Sequence, residues 1–185
     1  VPYVRGPEVS RKPADIIKQI TKLADGGIKQ ITLLGQTIDA YEYDDDGRIY
    51  RLGDLLDMVS AIDGVEWIRF ITSHPGQFDE GILEAMASNK KVTPYLHIPA
   101  QSGSDRILKA MNRRYTAEHY LSLIEKARQI VPGISIVSDF IVGFPGETEE
   151  DFQATVELVK KARFKNSFVF KYSPRLGTHS EKKLA

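Results

Sequence analysis

The sequence predicts an α/β fold built on a parallel sheet, read here as an open, partial barrel. Three observations carry that prediction. Short apolar, β-branched runs alternate along the whole chain with amphipathic helical patterns. Every such run ends in a cluster of Gly, Ser, Gln or Pro. The clearest unit, Ile134 to Asp151, reads as strand, glycine turn and helix in direct succession. Strands connected through helices are joined by right-handed crossovers and lie parallel. Five strands are visible, too few for a closed eight-stranded barrel of about 250 residues.

Taken in order, Val1 to Lys12 is a polar, turn-rich lead-in. Pro13 suits a first helical position, and Ile16, Ile17, Ile20, Leu23 and Ala24 mark one face of a helix that stops at Gly26-Gly27. Ile31 to Leu34 is a short strand followed by Gly35-Gln36-Thr37, and a loop is expected through Tyr43-Asp44-Asp45-Asp46-Gly47. A helix carrying Leu55, Leu56, Val59 and Ile62 follows, then a strand from Trp67 to Thr72 that ends in Ser73-His74-Pro75. A helix with Ile82, Leu83 and Met86 leads to the strand Tyr95 to Ile98 and the loop Pro99 to Ser104. Two helices come next, Asp105 to Met111 and about Thr116 to Val131. In the Ile134 unit the strand breaks at Gly143-Phe144-Pro145-Gly146, and Thr148 with Asp151 forms a capping-box start. Phe152, Val156 and Val159 give the expected apolar face of its helix, which runs to about Ala162. A last strand, Ser167 to Tyr172, enters Ser173-Pro174-Arg175.

Composition narrows the function classes. There are 25 basic and 25 acidic residues, so any nucleic-acid contact needs a local patch or a further domain. No apolar run approaches the length of a membrane span, and the N-terminus has no targeting pattern; a cytoplasmic setting and no membrane partner fit. The first residue is not methionine, and the opening helix has no strand before it, so a preceding strand is expected upstream. Cysteine is absent, which leaves no thiolate nucleophile and no Cys-ligated metal or cluster within these residues.

Chemistry is expected where the strands end, because ligands of open parallel sheets gather at the carboxyl edge. The candidates are Gly35 and Gln36, Ser73 and His74, Gln101 and Ser102, Asp139 with Gly143, and Ser173 with Arg175. Asp139 lies in an apolar strand, where a carboxylate is costly without a partner. His97 alternates with Leu96 and Ile98, and reads either as a hydrogen-bonded core histidine or as a ligand contact. Arg106, Lys109, Arg113 and Arg114 read either as a solvated helix face or as a grip on phosphate or carboxylate. Lys160, Lys161, Arg163 and Lys165 sit where cations suit a helix C-terminus. The run Asp44-Asp45-Asp46 lacks the spaced ligands of a calcium loop.

In order, VPYVRGPEVSR, LLGQTIDAY, RFITSHP, HIPAQSGSDRILKAMNRRYT, SDFIVGFPGETEEDF and FKYSPRLGT resemble the motifs of the radical S-adenosylmethionine methylthiotransferases, over essentially the whole chain. LLGQ followed by Thr37-Ile38-Asp39-Ala40-Tyr41 is similar to the MiaB-type branch, which adds a methylthio group to N6-isopentenyladenosine next to the tRNA anticodon. The resemblance implies a partial (βα)6 barrel with S-adenosylmethionine across its strand ends, tRNA as partner, and sulfur and electron donors. It implies a 4Fe-4S cluster held by a three-cysteine loop, expected just before Val1, with flanking domains beyond both ends. Residues 1–185 then form part of a radical core domain, expected to be inactive alone.

By the same resemblance, Gly35, Gln36, Ser73, His97, Gln101, Ser102, Asp139, Ile141, Val142 and Gly143 become candidates for cofactor contacts. Arg5, Arg114 and Arg175 become candidates for substrate contacts, and His74 for either. Other readings stay open: a branch acting on threonylcarbamoyl-adenosine or a ribosomal protein, a His/Asp metal centre made from His74, His97, Asp39 and Asp139 as in barrel hydrolases, or a binding module without catalysis. A sheet lacking its edge strand is expected to self-associate.

Overall fold

A computed structural model describes residues 9–35, 37–71, 73–76 and 78–174. Arg5, Gln36 and Arg175 therefore lie outside the described residues. In chain order the elements are α1 (Pro13–Asp25), β1 (Gln30–Leu34), a 3-10 turn (Ile38–Ala40), β2 (Glu42–Asp45), β3 (Arg48–Arg51), α2 (Leu52–Ser60), β4 (Trp67–Ile71), α3 (Gly81–Ser88), β5 (Tyr95–His97), α4 (Asp105–Ala110), α5 (Ala117–Ile130), β6 (Ser135–Val142), α6 (Glu149–Ala162) and β7 (Asn166–Lys171). The five expected strands and six expected helices are all present. The chain divides into two compact units, one from residues up to 71 with 79–93, the other from the described part of 72–78 with 94 onward.

In the first unit β1 pairs parallel with β4, from Gln30 opposite Trp67 to Leu34 opposite Ile71. Ile31, Ile68 and Phe70 are buried from this sheet, and α2 contributes Leu52, Leu55, Leu56 and Val59. Gly53 lets α2 approach α3 closely, since a Cβ there would stand 2.8 Å from the Gly81 carbonyl oxygen. The loop expected around Tyr43 is instead an antiparallel hairpin, β2 with β3. Asp46 and Gly47 turn it with positive φ, and Asp44 Oδ1 accepts the Gly47 N–H at 2.7 Å. Asp44 and Asp46 thus serve a turn, one that aspartate and glycine make well.

In the second unit β5, β6 and β7 form a parallel sheet in that order. Leu96, Ile136, Ser138 and Phe140 are buried on the face that meets the helices. There the Tyr120 hydroxyl of α5 donates to the Ile98 carbonyl at 2.8 Å and lies 3.1 Å from Ser138 Oγ, while Phe164 packs edge-on against Phe140. Burial raises the Tyr120 phenol far above its ordinary range.

Helix α6 corrects the expected apolar stripe. Phe152 and Val159 are exposed, and the buried line is Asp151, Thr155, Leu158 and Ala162. Two polar residues lie inward because the loop after β5 satisfies them. Thr155 Oγ1 accepts the Gly103 N–H at 2.9 Å and lies 3.3 Å from Ser102 Oγ. Asp151 accepts from Ser104 Oγ at 2.6 Å and from the Arg106 guanidinium.

Candidate functional site

The second unit gathers five of the sequence candidates, Ser73, His97, Gln101, Asp139 and Ile141, around the carboxyl ends of its strands. Parallel registry puts His97 opposite Val137 and carries Asp139 and Ile141 onto the same face. There His97 Nε2 lies 3.1 Å from Asp139 Oδ1. A carboxylate accepts only, so the His97 Nε2–H is the donor in this bond. The costly carboxylate in an apolar strand thus has its partner on the adjacent strand β5, and both groups stay partly exposed on the sheet face.

Backbone bonds lock the neighbouring segments to this pair. The Ser73 N–H donates to the His97 carbonyl at 3.1 Å. Ser73 itself is buried, and its hydroxyl meets no hydrogen-bond partner among the described residues. The Gln101 N–H donates to the Asp139 carbonyl at 2.8 Å, and the Gln101 carbonyl accepts from Ile141 at 2.9 Å. Gln101 holds φ at 66°, a left-handed backbone that a non-glycine residue adopts at a cost of order 1 kcal/mol or more.

Other candidates take different places. Ser102 is buried, with its hydroxyl engaged by the Ser104 N–H at 3.1 Å and by Thr155, so it shapes the loop. Val142 alternates onto the helix-facing side of β6, opposite Asp139. The Gly143 N–H is taken by Glu147 Oε2, a carboxylate that the glycine turn folds back on itself. Gly35 lies in the first unit, exposed after β1, where a Cβ would meet Ile38 Cα at 3.2 Å. Arg114 is exposed between α4 and α5.

Arg106 resolves its two readings. Its guanidinium donates to Asp151 and to the Gly146 carbonyl, so it ties the glycine turn to α4. The Arg106 guanidinium, then Ser104 and the Thr148 N–H, hold the Asp151 carboxyl well below the usual carboxylate range. With the capping box made by Thr148 and Asp151, the N-terminus of α6 is filled by its own side chains. That turn is therefore a structural joint, and no bare cradle for an anion.

His74 packs edge-on against Tyr115 at 5.6 Å, and its Nδ1 accepts the Gly76 N–H at 3.2 Å. Burial, then the Arg113 charge, pushes its imidazole below its ordinary pKa. Burial raises Tyr115 to about 12. Among the described residues no three His, Asp or Glu side chains are placed to hold a metal ion, so the proposed His/Asp metal centre is not assembled. No helix among them is long and apolar enough to cross a membrane.

Sequence reasoning did not find Glu147, Thr155 or Ser138 as parts supporting this edge. Ser104 was findable as an N-cap, since it precedes Asp105 and an apolar pair; its Oγ accepts the Ile107 N–H.

Comparison with known proteins now adds to this geometry. A tRNA-2-methylthio-N(6)-dimethylallyladenosine synthase of Desulforamulus reducens is 53% identical over 182 residues, 98% of this chain and 40% of that protein. A synthase of the same name from Cereibacter sphaeroides is 51% identical over 183 residues, 99% of this chain and 41% of that one. The chain thus spans about two fifths of the length of these relatives. Two solved structures share the fold: the radical S-adenosylmethionine methyltransferase TsrM from Kitasatospora setae, with cobalamin and a 4Fe-4S cluster bound (TM-score 0.66, 17% identity, 87% of this chain and 31% of that one), and coproporphyrinogen III oxidase HemN from Escherichia coli (0.64, 18%, 96% and 42%). At those identities they speak to the α/β fold with parallel sheets alone. Residues 1–159 match the family described as the Radical SAM superfamily, and the chain belongs to that superfamily.

Proposed function

We propose that this chain is part of the radical core domain of a tRNA methylthiotransferase, one that modifies N6-dimethylallyladenosine next to the anticodon. The identity of 53% over 98% of the chain to a synthase named for that product is the observation that carries the reading. A partial (βα)6 barrel, assembled from the βα units described above, belongs to the same proposal, as does a cytoplasmic setting. S-adenosylmethionine fits the strand-end set. The orphaned Ser73 hydroxyl is a donor and acceptor awaiting a partner, and the partly exposed His97–Asp139 pair offers a fixed polar edge. When bound, the cofactor supplies the adenosyl and methyl groups of the chemistry. Ser73, Asp139 and the backbone around Gln101 and Ile141 hold it, while Gln101's locked backbone fixes the distance between β5 and β6.

The superfamily's 4Fe-4S cluster is held by cysteine thiolates, and this chain has none, so its residues do not supply the cluster's ligands. Sulfur and electron donors remain part of the proposal for the whole protein.

Calorimetric titration of the chain with S-adenosylmethionine tests the site. Removing one partner of a hydrogen-bonded charged pair costs about 2–5 kcal/mol where it binds, so Asp139→Ala is expected to weaken binding by about thirtyfold or more. Wild-type affinity in Asp139→Ala, or no heat of binding in the unaltered chain, overturns the assignment.

A further inference from the structure

The sheet of the second unit has two unlike faces. On the side away from α5 and α6, the register sets Asp139 opposite Phe168 and Ile141 opposite Phe170. Paired residues of parallel strands share a face, so His97, Asp139, Ile141, Phe168 and Phe170 lie on one surface. Phe168 and Phe170 are 50% and 54% exposed, although a strand ordinarily turns such rings inward. The other side of β7 carries Ser167, Val169 and Lys171, with no ring among them. Tyr172 follows in the alternation on the phenylalanine side, and its N–H continues the ladder to the Val142 carbonyl. Its hydroxyl is buried and meets no partner among the described residues, while its ring packs edge-on against Phe144 at 5.1 Å.

We propose that Phe168 and Phe170 form the apolar wall that recognises the N6-prenylated purine, beside the His97–Asp139 pair that holds the cofactor. The inference rests on the tRNA methylthiotransferase reading above and names the residues that give it substrate preference. A purine carrying a five-carbon branched chain needs a flat apolar surface for its π-face and its prenyl group, next to the bound cofactor that acts on it. This face is the place among the described residues where exposed rings and an imidazole–carboxylate pair stand in adjacent strands at matched register. Neither the cluster of cations around Arg106 nor the capped end of α6 offers that combination. Stacking on an aromatic ring is sequence-tolerant, so selectivity for the prenyl group comes from the second ring along the strand.

The test uses the chain as it stands, with N6-(dimethylallyl)adenosine, adenosine and S-adenosylmethionine as separate probes followed by saturation-transfer NMR titration. The unaltered chain is expected to bind the prenylated nucleoside about tenfold or more tightly than adenosine. Phe168→Ala with Phe170→Ala is expected to bring that ratio to about one and to leave S-adenosylmethionine affinity within about twofold. Phe170→Leu, which keeps apolar bulk and the strand, is expected to retain part of the preference and guards against a folding defect. An unchanged ratio in the double variant overturns the inference. Equal loss of S-adenosylmethionine and nucleoside assigns the wall to the cofactor and also overturns it. Nucleoside binding absent while S-adenosylmethionine binds rejects this wall and leaves the cofactor site standing, whereas absence of both rejects the functional reading with it.

Discussion

Replacing Gly103 with alanine probes the joint that holds the loop after β5 against α6. A Cβ at 103 would lie 2.5 Å from the Ala154 carbonyl oxygen, 2.6 Å from Thr155 Cα and 2.8 Å from the Ala154 carbonyl carbon. All three atoms are helix backbone, so no flexible side chain can swing aside. Ordinary contact begins near 3.4 Å, and loop and helix must part by about 0.9 Å. That separation strains the 2.9 Å bond from Gly103 N–H to Thr155 Oγ1 and draws Ser104 away from Asp151. Overpacking costs about 1–3 kcal/mol and a buried donor left unpaired about 1–3 kcal/mol. Because the two losses share one displacement, the expected total is about 3 kcal/mol. Urea unfolding followed by far-UV circular dichroism reads it as a midpoint lowered by about 1.5 M, for a slope of about 2 kcal/mol per molar. Gly76→Ala is the control, since a Cβ there meets only His74 and Tyr115 side-chain atoms at 3.4–3.5 Å. A Gly103→Ala midpoint within about 0.3 M of the parent refutes the close packing argued here.

Two further outcomes follow from charge and from exposed edges. Asp151 is held below the usual carboxylate range by Arg106 first, then Ser104 and the Thr148 N–H. The unfolded chain therefore takes up that proton before the folded one does. Its stabilisation is full above the unfolded value of about 4 and fades as pH falls through the depressed folded value. Asp151→Asn should thus differ most from the parent near neutral pH, with the gap in melting temperature narrowing below about pH 4; a gap constant with pH contradicts the linkage. Separately, β1 and β7 each have one hydrogen-bonded neighbour among the described residues, and Leu34 and Val169 are 75% and 62% exposed. The chain should self-associate at roughly tens of micromolar, and Leu34→Lys with Val169→Lys should reduce this in light scattering. A monodisperse parent at that concentration rules it out.

The parallel βα pattern was legible because buried strands leave continuous apolar runs and each turn leaves glycine, proline or serine behind. Asp139 was legible for a related reason: a carboxylate among Ile and Phe is conspicuous, and its partner His97 sits at the matching alternation of the preceding strand. The hairpin Glu42–Arg51 was hidden by charge. Glu42, Asp44 and Asp45 look like loop composition, yet cross-strand pairing asks only for a turn such as Asp46-Gly47 to reverse the chain. The face of α6 was misread because apolar spacing names Phe152, Val156 and Val159, while the true contact line begins with Asp151 and Thr155. Only a partner 45 or more residues away in sequence, such as Ser104 or Arg106, makes those polar groups at home in a buried line. Phe168 and Phe170 were read as strand residues, and their exposure depends on which face the helices leave uncovered.

The seam between α6 and the loop after β5 also bears on how such a chain can be altered over time. Loops at the carboxyl edge of βα proteins are commonly exchanged as independent modules, each answering to its own strand. Here Ser102, Gly103, Ser104 and Arg106 are all anchored on Thr155, Asp151 or the Gly146 carbonyl, which belong to the next strand–turn–helix segment, β6 to α6. A transplanted segment at 101–106 arrives without its footing unless positions 146–155 travel with it. Variation at the two stretches should therefore be inherited jointly, as a single exchangeable block rather than two.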